Sequence, residues 1–370
     1  MYENIMVPKT SDGLFFAESL AGKWRSMPAD RYPYAAKMST IEINSFWGGL
    51  VMLKGNLVLD LSTLLPGPYA TTRLAELGAT VWKVEPPGGD PARFAWPQQD
   101  GIGLVYQVYI SGKQVFHIDL KTKAGRLQLY QMAKDADVLL HGFRPGVAER
   151  LDIGYDRLKE INSRLIYCAL TGYGQVGSWA RYAGHDINYM AVSGMLSQHH
   201  DINGNPIMPT VQWADYLGGQ AAVEAILAAL VARQRSGQGT FLDVSMTGAL
   251  RRLLMMHDAI ESMTQLTNGV PELTGQSVSY RLYQTQDERW IALGALEFKF
   301  WEAFCREVCR EEWVAHHHSA ATSDNPVFRE LTDLFRSRPL VDWTDLGQRV
   351  DCCLTPVLTL REARQYLQQV

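Results

Sequence analysis

The sequence predicts an α/β fold in which a large domain with a doubly wound parallel sheet is followed by a smaller α+β domain. Short apolar segments alternate with helix-spaced segments over residues 53–180. Glycine and proline follow the apolar segments, where parallel strands would end. After residue 185 this alternation stops, and helices rich in small residues precede a hairpin pattern at 277–296. These three observations indicate two domains of different construction.

The first strand–helix–strand unit is the clearest local pattern. Residues 57–61, LVLDL, are a short apolar run that predicts a buried strand ahead of a Pro-Gly-Pro turn at 66–68. The spacing of apolar residues over 69–79 predicts a helix that ends at Gly78. TVWKVEPP predicts the next strand, so the unit implies a right-handed parallel crossover.

Later units repeat this order and complete a Rossmann-like large domain. Strands are predicted in KQVFHIDLK (113–121), DVLLHGF (137–143) and RLIYCALT (164–171), and helices over 124–136 and 148–162. In a doubly wound sheet, ligands bind beyond the carboxyl ends of the strands. The turns PGP, EPPGGD, FRPGV and TGYGQVG therefore mark the expected binding edge.

The second half of the chain carries different patterns. INYMAVSGMLS (187–197) and the long segment 213–237 predict helices whose small residues allow close packing. GTFLDVSMTGALRRLLMMH runs from a strand into another helix. SVSYRLYQTQDERWIALGAL (277–296) predicts a hairpin, and EFKFWEAFCREV predicts an amphipathic helix.

Four regions are expected along the chain. Residues 1–51 show weak periodicity and are assigned to an N-terminal extension. The large α/β domain is expected over 52–200, linker helices and the small α+β domain over 201–350, and a C-terminal segment over 351–370.

Composition argues against several classes of function. A net charge of −4 without a long basic run argues against a nucleic-acid partner. The five cysteines form no CxxC pair, so we expect reduced thiols and a cytoplasmic protein. No apolar run is expected to approach the roughly 20 residues of a membrane span, so no membrane partner is predicted. The adjacent His316, His317 and His318 are not expected to bind a metal.

Several segments, taken together and in order, resemble the family III CoA-transferases and the related α-methylacyl-CoA racemases, the CaiB/BaiF group. The resemblance covers about residues 53–365. It is carried by LVLDLSTLLPGPYATTRLAELGATVWKVEPPGGDPAR, KQVFHIDLKTKAGR, ADVLLHGFRPGVAERLDIGYDRLKEINSRLIYCALTGYGQVG, AGHDINY, WADYLGG and GALEFKFW. It implies an acyl-CoA substrate, no cofactor beyond the coenzyme A of that substrate, and an interlocked homodimer. Against that family, the segment 351–370 is shorter than usual, and Phe298 stands where many relatives have proline.

The motif AGHDINY resembles the racemase form, in which the histidine is a catalytic base. Transferases of the family usually carry Gly-Tyr-Asp there, with the aspartate as nucleophile. By this resemblance His185 is one base, Asp215 is the other, and Glu297 lines the site, while Asp186 holds the position of the transferase nucleophile. By residue type alone, each of the four also fits an ordinary structural role. These roles are a half-buried histidine for His185, a helix cap for Asp186, a cap or surface acid for Asp215, and a first-turn helix acid for Glu297.

Coenzyme A carries phosphates, which bind to basic side chains and to free backbone N–H groups. By resemblance the candidates for this contact are Lys83, Lys121, Arg144 and Arg150. Each of them fits a solvated charge at a strand end about equally well. The sequence has no GxGxxG or Walker A motif, so neither NAD nor ATP is expected.

Three functions remain open from the sequence. Racemisation of a 2-methylacyl-CoA thioester moves a proton from one face of the α-carbon to the other, which suits two acid–base groups tuned toward neutral pH. CoA transfer between carboxylic acids would instead use Asp186 as a nucleophile, through a mixed anhydride and then an aspartyl-CoA thioester. The third reading is an inactive family member that binds CoA or serves as a scaffold. The acyl group is left undefined.

Overall fold

The computed structural model of the chain describes residues 51–201 and 203–367. These residues divide into two compact units. The first contains the residues up to Ser193 together with Met208–Leu250, and the second contains Gly194–Ile207 together with the chain from Arg251 onward. The predicted N-terminal extension, residues 1–51, lies outside the described residues except for Val51.

The elements up to residue 171 follow the predicted alternation of strands and helices, and helices predominate from there to residue 253. The strands are β1 Leu57–Leu61, β2 Thr80–Glu85, β3 Gln98–Gln99, β4 Ile102–Gly103, β5 Lys113–His117, β6 Val138–His141, β7 Ile166–Thr171 and β8 Phe241–Ser245. The helices are α1 Pro66–Glu76, α2 Leu104–Ile110, α3 Lys123–Asp135, α4 Val147–Arg150, α5 Tyr155–Ile161, α6 Asp186–Ser193, α7 Met195–Gln198, α8 Trp213–Ser236 and α9 Met246–Leu253.

The large sheet has the strand order β5-β2-β1-β6-β7-β8, and every neighbouring pair is parallel. From β1 the chain builds outward through β2 and β5 on one side, and through β6, β7 and β8 on the other. Val58 of β1 therefore lies in register with both Val81 of β2 and Val138 of β6. The order reverses between β1 and β6, so the predicted α/β fold with a doubly wound parallel sheet is confirmed.

Helices cover both faces of this sheet. Alternate residues of β1 point in opposite directions: Leu59 packs with Leu129 of α3, whereas Asp60 bonds to Thr71 of α1. Helix α8 lies beside α1 and packs against β7 and β8. Because the central strands β1, β6 and β7 are buried on both faces, they read as nearly continuous apolar runs.

Helix α8 packs closely because its first turns carry glycine, as the sequence predicted. A Cβ atom at Gly219 would lie 2.6 Å from the carbonyl oxygen of Pro66, which opens α1. Helix α8 is also long enough to cross a membrane, and an 18-residue window within it has a mean hydropathy of 1.2. The expectation that no segment approaches that length is therefore wrong, although α8 packs against the sheet.

Three predicted helices have different limits in the structure. Helix α1 begins at Pro66, so the predicted Pro-Gly-Pro turn is its first turn, where proline is tolerated. The helix predicted over 148–162 is broken into α4 and α5, with Asp152 in the left-handed region at φ 59°. The helix predicted over 187–197 is broken at Gly194, where φ is 87°.

The second unit contains helix α7, a small antiparallel sheet and the remaining helices. The elements are α10 Met255–Thr264, β9 Tyr280–Gln284, β10 Trp290–Gly294, α11 Phe298–Glu307, α12 Pro326–Phe335, α13 Leu340–Val350, β11 Leu354–Pro356 and α14 Leu360–Leu367. The sheet order is β11-β10-β9. Trp301, Phe304, Phe335 and Trp343 fill its core. The predicted hairpin and amphipathic helix are confirmed.

The boundary between the two units differs from the prediction at residue 200. Helix α8 and strand β8 belong to the first unit, because β8 completes the large parallel sheet beside β7. The predicted C-terminal segment, 351–370, supplies β11 to the small sheet and so belongs to the second unit. The homodimer stays a prediction.

Candidate active site

A cavity of about 250 Å³ opens at the carboxyl edge of the large sheet. The loops that follow β1, β6 and β7 form its walls together with the first turns of α6 and α8. This is the place where the strand order reverses, and open α/β sheets bind ligands at such a place. The polar and aromatic side chains around it include Ser62, Arg144, Tyr173, His185, Tyr189 and Asp215.

His185 is the residue immediately before helix α6. Its N–H donates to Asn188 Oδ1 at 3.0 Å, and its carbonyl oxygen accepts the N–H of Asn188 at 2.8 Å. The bond from the His185 N–H to the Asn188 side chain is one of the two bonds of a capping box, with asparagine in the place of glutamate. The backbone of His185 is therefore fixed, while its side chain is exposed at the cavity wall.

Asp215 lies in the first turn of α8, is half-buried and lines the same cavity. Burial raises the pKa of its carboxyl to about 7, and the negative charge of Asp186 contributes to the rise. A carboxyl that titrates near neutral pH exchanges protons in both directions at little cost. The structure thus brings the two predicted bases, His185 and Asp215, to one cavity.

Asp186 points elsewhere. Its Oδ1 accepts the backbone N–H of Asp215 at 3.0 Å, and the side chain is absent from the residues that line the cavity. Burial raises the pKa of Asp186, while hydrogen bonds from the backbone of Asp215 and Ala214 oppose that rise. The predicted helix cap is therefore present, but the capped helix is α8 and not Asp186's own helix.

Aromatic rings form a continuous wall from the cavity outward. The ring centroids of Tyr189 and Tyr173 lie 5.0 Å apart, those of Tyr173 and Trp179 5.8 Å, and those of Trp179 and Tyr182 5.0 Å. Tyr182 is 62% exposed and Trp179 is 47% exposed. The wall offers apolar area next to His185. The sequence analysis missed it because Tyr173, Trp179 and Tyr182 lie in a loop without periodicity.

The remaining predicted residues have separate positions. Arg144 is exposed and lines the cavity, whereas Lys121 and Arg150 are exposed in the first unit away from the residues that line it. Glu297 lies in the second unit, where its carbonyl oxygen accepts the N–H of Phe300 at the start of α11. The roles expected for Lys121, Arg150 and Glu297 stay predictions.

The position of Lys83 contradicts the prediction that it binds a phosphate of coenzyme A. The residue is 1% exposed. Its Nζ lies 3.5 Å from Asp60 Oδ1 and 3.3 Å from Asp90 Oδ2, and it donates to the carbonyl oxygen of Ser62. Lys83 lies within β2, and helices cover both faces of the sheet. Its ammonium group therefore needs partners inside the protein.

Lys83 belongs to a buried ion network that shapes one cavity wall. Asp60 accepts the N–H of Ser62 at 3.0 Å, and Asp90 accepts the N–H of Leu64 at 3.1 Å. Leu64 has φ 66°, a left-handed conformation that a leucine adopts only when its surroundings hold it there. Both anchored residues line the cavity, so the network positions the loop after β1.

Replacing Lys83 should therefore displace the loop after β1 and should not remove a contact to a phosphate of coenzyme A. We expect Lys83→Met to lower kcat/KM by about tenfold or more, since small displacements of a binding wall carry large penalties. The loss should be equal for an acyl-CoA and for the matching acyl-pantetheine thioester, which lacks the nucleotide. Asp90→Asn, which keeps an oxygen for the Leu64 N–H, should show the same equality with a smaller loss. A loss of kcat/KM for the acyl-CoA but not for the acyl-pantetheine thioester would show instead that Lys83 contacts a phosphate of coenzyme A.

Known proteins resemble this chain over most of its length. The pattern defined for CoA-transferase family III matches residues 53–370. The α-methylacyl-CoA racemase of Homo sapiens is 34% identical over 316 residues, which cover 84% of this chain and 78% of that protein. The acetyl-CoA:oxalate CoA-transferase of Acetobacter aceti is 30% identical over 321 residues, 84% of this chain and 81% of that protein. A crystal structure of a CaiB/BaiF family protein from Brucella suis, 24% identical, has the same fold with a TM-score of 0.73 and covers 84% of this chain and 85% of that chain.

Proposed function

Because this chain belongs to CoA-transferase family III, we propose that it racemises the α-carbon of 2-methylacyl-CoA thioesters by two-base proton exchange. One observation carries the proposal: His185 and Asp215 line one cavity, and the pKa of Asp215 is raised to about 7. Asp186, which a transferase would use as nucleophile, is bonded to the start of α8.

The reaction needs only the movement of protons. One base removes the α-proton, and the electron pair of the broken C–H bond passes to the thioester oxygen as an enolate. The conjugate acid of the other base then protonates the opposite face of the carbon. No electron leaves the substrate, and each turnover exchanges the protonation states of His185 and Asp215.

The enolate oxygen requires hydrogen-bond donors while it carries charge. The backbone N–H groups that open helix α6, at Asp186 and Ile187, are suited to this task because the positive end of the helix dipole lies there. His185 precedes those groups directly along the chain. The acyl group would contact the aromatic wall, and Arg144 would contact the coenzyme. A homodimer and a cytoplasmic location complete the proposal.

CoA transfer between carboxylic acids is the second candidate. The similarity to the Acetobacter aceti transferase favours it, as does the presence of an aspartate at position 186. In that reaction Asp186 Oδ would attack the thioester carbonyl and release coenzyme A as the thiolate. Since Oδ1 accepts the Asp215 N–H, Oδ2 would be the attacking oxygen, and it would have to reach a cavity that Asp186 does not line.

Incubation with 2-methylacyl-CoA thioesters in heavy water tests the proposal. With no acceptor acid present, mass spectrometry should show one deuterium gained at the α-carbon, and chiral analysis should show both enantiomers. Hydroxylamine added after the acyl-CoA should leave Asp186 unmodified. A hydroxamate formed at Asp186, without α-deuterium, would establish the transferase instead, and the absence of both products would establish an inactive member, a scaffold if no CoA thioester binds.

A further inference from the structure

We propose that Asp186 is a positioning residue for Asp215: its carboxylate caps helix α8 from the neighbouring helix α6 and holds in place the turn that carries the Asp215 carboxyl. The inference rests on the proposed racemase function, in which Asp215 is a base. It assigns to Asp186 a role through another residue, without a covalent bond to the substrate.

Helix α8 has no cap of its own. Gln212, the residue before its first turn, makes no side-chain hydrogen bond to the helix. The first N–H groups of any helix lack partners within the helix, and a side-chain oxygen normally satisfies one of them. Asp186 Oδ1 supplies that oxygen at 3.0 Å from the N–H of Asp215, although the two residues are 29 positions apart.

This bond sets the spacing between the two bases. Asp186 is joined to His185 by a peptide bond and to the backbone of Asp215 by the hydrogen bond. Since His185 opens α6 and Asp215 lies in the first turn of α8, one side chain links both helix starts. Loss of the link would allow the two helices to shift and change the distance across the substrate carbon.

The charge of Asp186 has a second consequence for Asp215. Two other titratable groups near Asp215 are Tyr189 of α6 and His185, which lines the same cavity. Arg144 and Tyr173, in neighbouring loops, interact in turn with Tyr189. Of these described groups, Asp186 carries the negative charge. Removing that charge while keeping the oxygen acceptor should make Asp215 a stronger acid without moving it.

Two substitutions separate position from charge. Asp186→Asn keeps an oxygen that accepts the Asp215 N–H and removes the charge, whereas Asp186→Ala removes both. We expect Asp186→Asn to lower racemisation less than Asp186→Ala does, and to move the acidic limb of the kcat/KM profile to lower pH for the enantiomer that Asp215 deprotonates. Asp186→Ala should lower racemisation by about tenfold or more. It should also remove the protection of the Asp215 amide from hydrogen exchange, which Asp186→Asn should keep.

Asn325→Ala is the matched control. Asn325 caps helix α12 in the second unit by accepting the N–H of Val327 at 3.0 Å. Its loss should lower thermal stability without moving the pH profile.

Loss of all exchange in Asp186→Asn, or an acidic limb left in place, would overturn the inference while the wild-type exchange upholds the racemase function. Unchanged amide protection at Asp215 in Asp186→Ala would also overturn it. Absence of exchange in the wild type would overturn the racemase function itself, and the positioning role with it.

Discussion

Asp215→Asn should lower the rate of racemisation by about a hundred- to ten-thousandfold, the range that general acid–base groups contribute. The amide has nearly the shape of the carboxyl but neither gives nor takes a proton near neutral pH, so the cavity should keep its form. The measurement is the appearance of the opposite enantiomer from a chirally pure 2-methylacyl-CoA. Coenzyme A binding, measured by calorimetry, should stay within a few-fold of the wild type.

Asp156→Asn serves as the matched control for that substitution. Asp156 is also an acid in the first turn of a helix, α5, but it is exposed and lies outside the cavity. Its replacement should leave racemisation unchanged. Racemisation in Asp215→Asn at a rate close to that of the wild type would remove Asp215 from the mechanism and leave His185 without a partner.

Asp60→Ala should lower the free energy of unfolding by about 3–5 kcal/mol, because it leaves the buried Lys113 ammonium without its anion and the Lys83 ammonium with Asp90 alone. Asp60 is fully buried, and its carboxylate lies 3.2 Å from Lys113 Nζ and 3.5 Å from Lys83 Nζ. Urea denaturation followed by circular dichroism gives the comparison. Glu160→Ala, which breaks the exposed pair between Arg157 and Glu160, is the control and should change stability very little.

The same buried ion network makes the stability of the protein depend on pH. Burial alone would raise the pKa of Asp60, but Lys83 and Lys113, with hydrogen bonds from Ser62 and Thr71, lower it below its usual range. A carboxyl with a lowered pKa in the folded state stabilises the protein above its unfolded pKa, about 4. That contribution should fade as the pH falls below 4. A loss in Asp60→Ala no larger than that of the surface pair would contradict the structural role of the network.

The sequence was informative where periodicity or a contiguous motif carried the signal. Apolar strands covered on both faces produced clear runs, so β1 was predicted with its observed bounds. The predicted bases, His185 and Asp215, came from the resemblance of AGHDINY and WADYLGG to racemase motifs, and both residues line the cavity. Breaks at single residues, such as Gly194 with its positive φ, were missed because one glycine in a helical pattern is weak evidence.

The roles of charged residues were harder to predict, because partners distant in sequence decide them. Lys83 resembled a strand-end cation that meets solvent, but Asp60 and Asp90 hold its ammonium inside. Asp186 read as a cap for its own helix or as a nucleophile, and its partner is 29 residues further along the chain. A charge within or beside a strand covered on both faces is a usable signal for such a network.

The stereochemical course of the reaction in heavy water tests the central claim most directly. The wild-type protein is given one enantiomer of a 2-methylacyl-CoA, the reaction is stopped early, and the deuterium content of each enantiomer is measured. Proton removal by one group and delivery by another predicts that the inverted product carries deuterium from the solvent at the α-carbon. An inverted product that keeps the original proton would show a single group carrying it across the carbon, and the account of His185 and Asp215 as separate bases would be wrong.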